Sequence, residues 1–488
     1  MNNPTWIGLL GGLLSTMSIL AQNTLPSPAA ELPRWEAAGE FTTANRAITA
    51  ALEAGALPPA EAGRLAWERE RLHRIQLDYS DTRETLFHDL QGAVRDLTRA
   101  EFEGWIQAGW FDRRVIDGVE YFFGSSVSNL FFRHPELNPR RLKSAEPAFR
   151  ERFQLQEARE IRAAARAAGS PYVLPHRFQV TMTVTVKSNA VPAGEDLRVW
   201  VPIPRRYPHQ TDFHLLAATP AARAVGAEDQ TCRSVYFETP ARGAMPTEFR
   251  VDYDFTTRGV CFDLDPARSL PVDPADPALR PFLAEGPHVV FTPALRELSA
   301  RILGGETNAL RRARLLYEWP SDHLLYSYAR EYSTLTNISD YCRAQGYGDC
   351  GQQALLFIAL CRLNGIPARW QSGWNLLPRD TTNHDWAEIY LAPWGWLPVD
   401  PYMGNWAMRY TRTLTEPQKR EIRDFYFGGL DHYRMAANAD HNAPLDPPKS
   451  SVRSDDVDFQ RGEIEAGGRN LYFNQFSYHL EWREPATP

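Results

Sequence analysis

Cys350, His384 and Asp400 stand in three separate short stretches, in that order, and they are the residue types that acyl transfer through a thiol requires. Cys350 lies in GYGDCGQQALLFIALCRLNG. Gly346, Gly348 and Gly351 leave the backbone around it free to turn tightly, and residues 352–363 form an apolar, helix-favouring run that Asn364-Gly365 stops. The spacing predicts Cys350 at a helix N-terminus, where free N–H groups and the positive dipole end favour a thiolate. His384 opens the predicted strand HDWAEIYL, and Asp400 ends the predicted strand WGWLPV. With PARWQSGWN before them, these strands predict an antiparallel meander that sets His384 beside Asp400. A carboxylate can then orient the imidazole, and the imidazole can activate the thiol.

Taken singly, none of the three is diagnostic. Cys350 alone reads as a buried structural thiol, His384 alone as a surface or core residue, and Asp400 before a proline as the start of a turn. The ordered set outweighs those readings. Cys361, about three turns further along the same predicted helix, reads with Ala354 and Phe357 as core.

The elements that must position these residues follow from hydrophobic periodicity. Residues 22–172 read as mostly helical, with examples at 60–77 and 146–168. The second of these is rich in Arg and Glu and reads as a solvated face held by i,i+4 pairs. Thr98-x-x-Glu101 predicts a capping box, and RRVIDGVEYFF a hairpin turning at Asp117-Gly118. From Arg177 the period becomes two: Phe178, Val180, Met182, Val184 and Val186 alternate with polar residues, and so do Leu197, Val199, Val201 and Ile203. Several such strands within 173–262 predict a small β-sandwich. A proline-rich linker covers 263–292, a mixed helix-and-strand domain covers 293–410, and a C-terminal extension covers 411–488, in which LYFNQFSYHLEW predicts a closing strand.

Composition bounds the rest. With 488 residues, about three domains are expected. A formal net charge of -7 gives no support to nucleic acid as a partner. Residues 6–21, WIGLLGGLLSTMSILA, have the length and apolarity of a signal-peptide core, so 1–21 is expected to be a signal peptide and the mature protein exported, periplasmic or extracellular, without stable membrane insertion. The odd cysteine count of five is accounted for by one reactive thiol plus up to two disulfides, with Cys232 and Cys261, both in the β-region, as one possible pair. No CxxC or HExxH occurs, so no metal and no cofactor is expected. DDVD at 455–458 is too little for a calcium loop.

GDCGQ with its helix ending NGIPAR, then HDWAEIY, then GWLPVDP, resembles the transglutaminase-like core, and LRVWVPIPR resembles the β-region that often precedes it in bacterial members. The resemblance implies an α+β multidomain chain: a mainly helical N-terminal region, a small β-sandwich, then a papain-like core with a helix packed on an antiparallel sheet. It implies Cys350 as nucleophile, His384 as general base and acid, and Asp400 as the residue that orients it. The backbone N–H of Cys350 and one further donor should form the oxyanion hole, and Trp319, Tyr326 and Tyr328 occupy the region that supplies such a donor, with core packing the alternative for each. Two residues depart from the pattern. Asp385 replaces the small residue usual after the histidine; strand alternation turns it away from His384's side, so little effect is expected. Pro320 interrupts the upstream helix and predicts a kink there. The expected activity is acyl transfer on protein or peptide amides through a thioester, with hydrolysis favoured over amine cross-linking. The alternative is a catalytically silent binding or scaffold protein on the same fold.

Overall fold

The computed structural model describes residues 28–142 and 147–485, so the apolar segment 6–21 lies outside the described residues. The chain divides into two compact units. The smaller comprises residues 28–69 with 115–118. Its helices Pro28–Ala38 and Phe41–Glu53 bury Leu32, Phe41, Ala44 and Ile48, and Asp117 ties their junction by accepting hydrogen bonds from Thr42 N at 2.9 Å and from its hydroxyl at 2.7 Å.

Everything else belongs to the second unit. Its helices Arg83–Gln91, Arg99–Gln107 and Ser126–Arg133 close around Leu86, Leu90, Phe102, Trp105 and Leu130. Thr98 caps the second of these, its hydroxyl accepting from Glu101 N at 3.2 Å. The Arg/Glu-rich helix Pro147–Ala168 departs from the expected solvated face. One side of it buries Leu155, Ala158, Ile161 and Ala165 together with Trp406, Ile422 and Phe425, and carries Glu151 at 1% exposure and Glu157 at 8%. Glu151 tolerates burial because it accepts backbone N–H bonds from Arg412 and Thr413, each 2.7 Å. Alternation of charge with small apolar residues conceals such a face in the sequence.

The period-two region forms two five-stranded sheets. In one, Tyr172–Val186 lies between Thr247–Cys261 and Phe476–Arg483. In the other, Asp196–Pro202 lies between Ser234–Pro240 and Glu463–Ala466. Phe178, Val180, Met182, Val184, Val199, Phe237 and Phe255 fill the space between, as alternation requires. The C-terminal stretch thus supplies two strands to each sheet, Gly429–Leu430 and Phe476–Arg483 to the first and Glu463–Ala466 and Arg469–Asn470 to the second, with Phe476 pairing with Val186 and Glu463 with Trp200. The pairing left open between Cys232 and Cys261 is not made, and all five cysteines are free thiols. Cys232 is buried and donates weakly to Asn438 Oδ1 at 3.3 Å, while Cys261 is half-buried at the end of its strand.

The core that carries the three candidate residues is built on the helix Cys350–Leu363, in which every residue from Gly351 to Arg362 is buried. An antiparallel sheet packs on it in the order Gly395–Val399, Asp380–Leu391, Ala368–Leu377, Arg434–Asn438. Ala387, Ile389 and Leu391 join the helix in the main core. The helix Ala309–His323 contains Pro320 in its last turn and runs on to His323. Among the described residues, no helix is long and apolar enough to cross a membrane.

Candidate functional site

Asp349 starts the site. Its side chain caps the buried helix, accepting from Gln352 N at 3.0 Å and from the Tyr332 hydroxyl at 2.6 Å, and so fixes Cys350 as the first helical residue. Gly351 makes the packing possible, since a Cβ there would stand 2.2 Å from Tyr332 Oη and 2.7 Å from Asp385 Oδ2.

His384 does not open its strand. The strand begins at Asp380, and His384 lies inside it opposite Gly373. Asp400 follows the next strand and caps the helix Pro401–Arg409, with Oδ1 accepting from Met403 N at 3.0 Å. Its Oδ2 stands 2.7 Å from His384 Nε2, with both side chains buried. A carboxylate only accepts, so Nε2 carries the hydrogen and Nδ1 is left to take a proton. Arg434 Nη1 stands 2.9 Å from Asp400 Oδ2, and Arg434 Nε donates to Asp431 at 3.0 Å. Burial pushes the Asp400 carboxyl up, but the charges of His384 and Arg434 and the hydrogen bonds from His384 and Met403 N outweigh it, holding Asp400 below the ordinary carboxylate range. Burial lowers His384, with Arg434 adding to the effect and Asp400 opposing it, so the imidazole is neutral near pH 7.

Cys350 and His384 line one cavity of about 1040 Å³. The hydrogen bond of the Cys350 thiol goes to Asp385 Oδ2 at 3.7 Å. Asp385 Oδ1 accepts from Gln460 Nε2 at 2.5 Å, and the same amide donates to His384 O at 3.0 Å. Burial, then the charges of Asp385 and Asp349, pushes the Cys350 thiol well above its ordinary range. Burial, then the charges of Asp349 and Asp455, raises Asp385 in turn above the ordinary carboxylate range. Burial and the two carboxyls thus oppose the thiolate that the helix N-terminus favours.

Of the upstream aromatics, Tyr326 and Tyr328 line the cavity. Trp319 lies apart from its wall, stacked on His323 with ring centroids 4.9 Å apart and packed against the main core. Tyr402 was not anticipated: it follows Asp400-Pro401, lines the cavity, and meets His384 edge-on at 5.5 Å. Arg434 and Gln460 also went unanticipated. Both come from the C-terminal stretch, and nothing local in the sequence distinguishes them from surface polar residues. DDVD, set aside as a calcium loop, is instead an ionic support: Asp455 accepts from Arg461 at 2.6 Å, and Arg461 holds Glu331 through two bonds of 3.0 and 2.9 Å.

Residues 296–401 match the model of the transglutaminase-like superfamily. The chain carries a transglutaminase-like core. Among curated relatives, an uncharacterized protein of Haemophilus influenzae is 24% identical over 219 residues, covering 39% of this chain and 58% of that protein. The chain thus spans 58% of the length of that relative. Among solved structures, a candidate cysteine protease from Cytophaga hutchinsonii matches with a TM-score of 0.42 and 17% identity, covering 65% of this chain and 93% of that one. The periplasmic domain of TgpA from Pseudomonas aeruginosa matches with a TM-score of 0.26 and 16% identity, covering 55% and 96%. The matched core, residues 296–401, contains Cys350, His384 and Asp400.

Proposed function

We propose that this chain is a cysteine-dependent acyl-transfer enzyme in which Cys350 is the nucleophile, His384 the general base and acid, and Asp400 the residue that orients His384. The observation that carries the reading is the 2.7 Å contact of His384 Nε2 with Asp400 Oδ2 at the cavity that also opens on Cys350. With a neutral thiol and a neutral imidazole, His384 takes the thiol proton as the sulfur attacks an amide carbonyl. The oxyanion is received by the backbone N–H of Cys350 and a second donor, for which Tyr326 and Tyr328 are the upstream side chains lining the cavity. Collapse expels the amine, which takes the proton from His384 and leaves a thioester on Cys350. Water then attacks, its proton passing to His384, and the acid and the thiol are released. The wide cavity and its exposed rim arginines, Arg379 and Arg412, support access of water, and so hydrolysis over amine transfer. With residues 6–21 read as a leader, the substrates are proteins or peptides outside the cytoplasm.

A second reading, a binding protein that retains the fold without turnover, is favoured by one feature: the Cys350 thiol is hydrogen-bonded to a carboxyl and raised by burial. The two are separated by incubation with p-nitrophenyl acetate, acid quench and intact mass measurement. The enzyme reading expects one acetyl adduct on Cys350 with a burst of nitrophenol, absent from Cys350→Ala and strongly slowed in His384→Ala. An unmodified wild-type chain would leave only the binding reading.

A further inference from the structure

The chain is acidic overall, with a net charge of -7, yet the cavity that opens on Cys350 is lined by Arg141, Arg150, Arg379, Arg409 and Arg412 against two carboxylates, Glu151 and Asp380. Both carboxylates are already engaged. Glu151 accepts from the backbone of Arg412 and Thr413, and Asp380 pairs with Arg150 at 2.9 Å. Arg150 still has a buried Nε without a hydrogen-bond partner among the described residues. Arg141, Arg379 and Arg412 form no ion pair among the described residues. Burial and then the neighbouring Arg412 charge lower Arg141, so these two like charges disfavour each other at the cavity wall. Arg379 sits at the hairpin tip between Ala368–Leu377 and Asp380–Leu391 with φ +68, a conformation that glycine would adopt at lower cost, and its guanidinium lies 4.6 Å from the Phe149 ring centroid.

A cleft that focuses one sign of charge raises the local concentration of the opposite sign and rejects its own. Arginine adds a planar fork matched to a carboxylate. Resting on the reading of Cys350 as nucleophile, we propose that this arginine wall selects acyl donors with carboxylates flanking the attacked amide: acidic segments of proteins or peptides. Basic segments are repelled. The helix Pro147–Ala168 then takes a direct part in substrate choice, because it brings Arg150 to the cavity.

The test uses the full chain as Cys350→Ala and two fluorescein-labelled peptides of equal length. In one, glutamates stand on both sides of a central glutamine; in the other, serines replace those glutamates. Anisotropy titrations at low salt should give a dissociation constant about tenfold tighter for the acidic peptide, the sum of several exposed pairs. The advantage should fall as salt rises and should shrink in Arg379→Gln/Arg412→Gln, whose two side chains are exposed. Equal binding of both peptides, no binding of either, or an undiminished preference in the double variant would overturn the inference. The two ideas fail separately. Acidic preference with no acyl adduct on intact Cys350 would sink the enzyme reading alone, and an adduct with no acidic preference would sink the selectivity alone.

Discussion

Asp385 Oδ2 stands 3.7 Å from Cys350 Sγ, although Asp385 follows His384 by one position on the same strand. Strand alternation does turn the two side chains to opposite faces. The face given to Asp385, however, is the one on which Ala387, Ile389 and Leu391 pack against the helix of Cys350, so the residue expected to matter little is the thiol's neighbour. Asp385→Asn keeps the size and the acceptor from Gln460 but removes the acid. Since the charge of Asp385 helps to push Cys350 up, the pH midpoint of Cys350 alkylation by iodoacetamide should move down in the variant. An unchanged midpoint would mean that Asp385 takes no part in setting the thiol.

Besides pairing with Arg434, Asp400 caps the helix Pro401–Arg409 and holds His384, and one substitution separates the cap from the charge. Asparagine is as good a cap as aspartate, accepting from Met403 N through its amide oxygen. It cannot supply the negative charge that stabilises imidazolium, and it can leave the ring in the wrong tautomer. Asp400→Asn should therefore fold normally by circular dichroism while acylation of Cys350 falls by about 10³–10⁴-fold. A loss of less than tenfold would remove Asp400 from the proposed mechanism.

The parts of this site that were legible in the sequence are those carried by local signals. Glycine spacing and an apolar run mark the helix of Cys350, and alternation marks its strands and the sandwich. What lay hidden depends on contacts distant in the chain. Arg434 and Gln460 reach the His384–Asp400 region from the C-terminal stretch, and a charged side chain in sequence reads as surface until its buried partners, here Asp400 and Asp431, are known. The same holds for Glu151, whose burial is explained only by backbone donors some 260 residues away. A disulfide between Cys232 and Cys261 was compatible with the sandwich strands, but Cys232 turns instead toward Asn438 and Ala443.

Arg434 offers a test of that hidden layer. It is buried, bridges Asp400 and Asp431, and helps to lower His384. Arg434→Met keeps volume and removes the charge. Breaking a buried pair from one side costs about 3–5 kcal/mol, which denaturant unfolding would read. Catalysis supplies a second readout. With the opposing cation gone, His384 should hold its proton to higher pH, so the acid limb of the acylation profile should shift upward. A variant that is destabilised with no shift of that limb would assign Arg434 a purely structural part.

Glu157 links a buried charge to stability. Burial raises it from 4.5 to about 8, with Asp431, Glu160 and Glu484 adding to the shift. His432 stands 3.4 Å away, but burial lowers its pKa to about 4, so at neutral pH it supplies no positive charge. The folded carboxyl is thus raised above its unfolded value. Its contribution is complete below 4.5 and is lost as pH rises to 8, because the unfolded chain ionises there while the folded chain keeps the proton. Glu157→Gln cannot ionise in either state. Thermal melts across pH should therefore show the wild type losing ground to the variant between 4.5 and 8, and a constant gap beyond. Two parallel curves over that range would mean that Glu157 ionises in the folded protein as readily as in the unfolded chain.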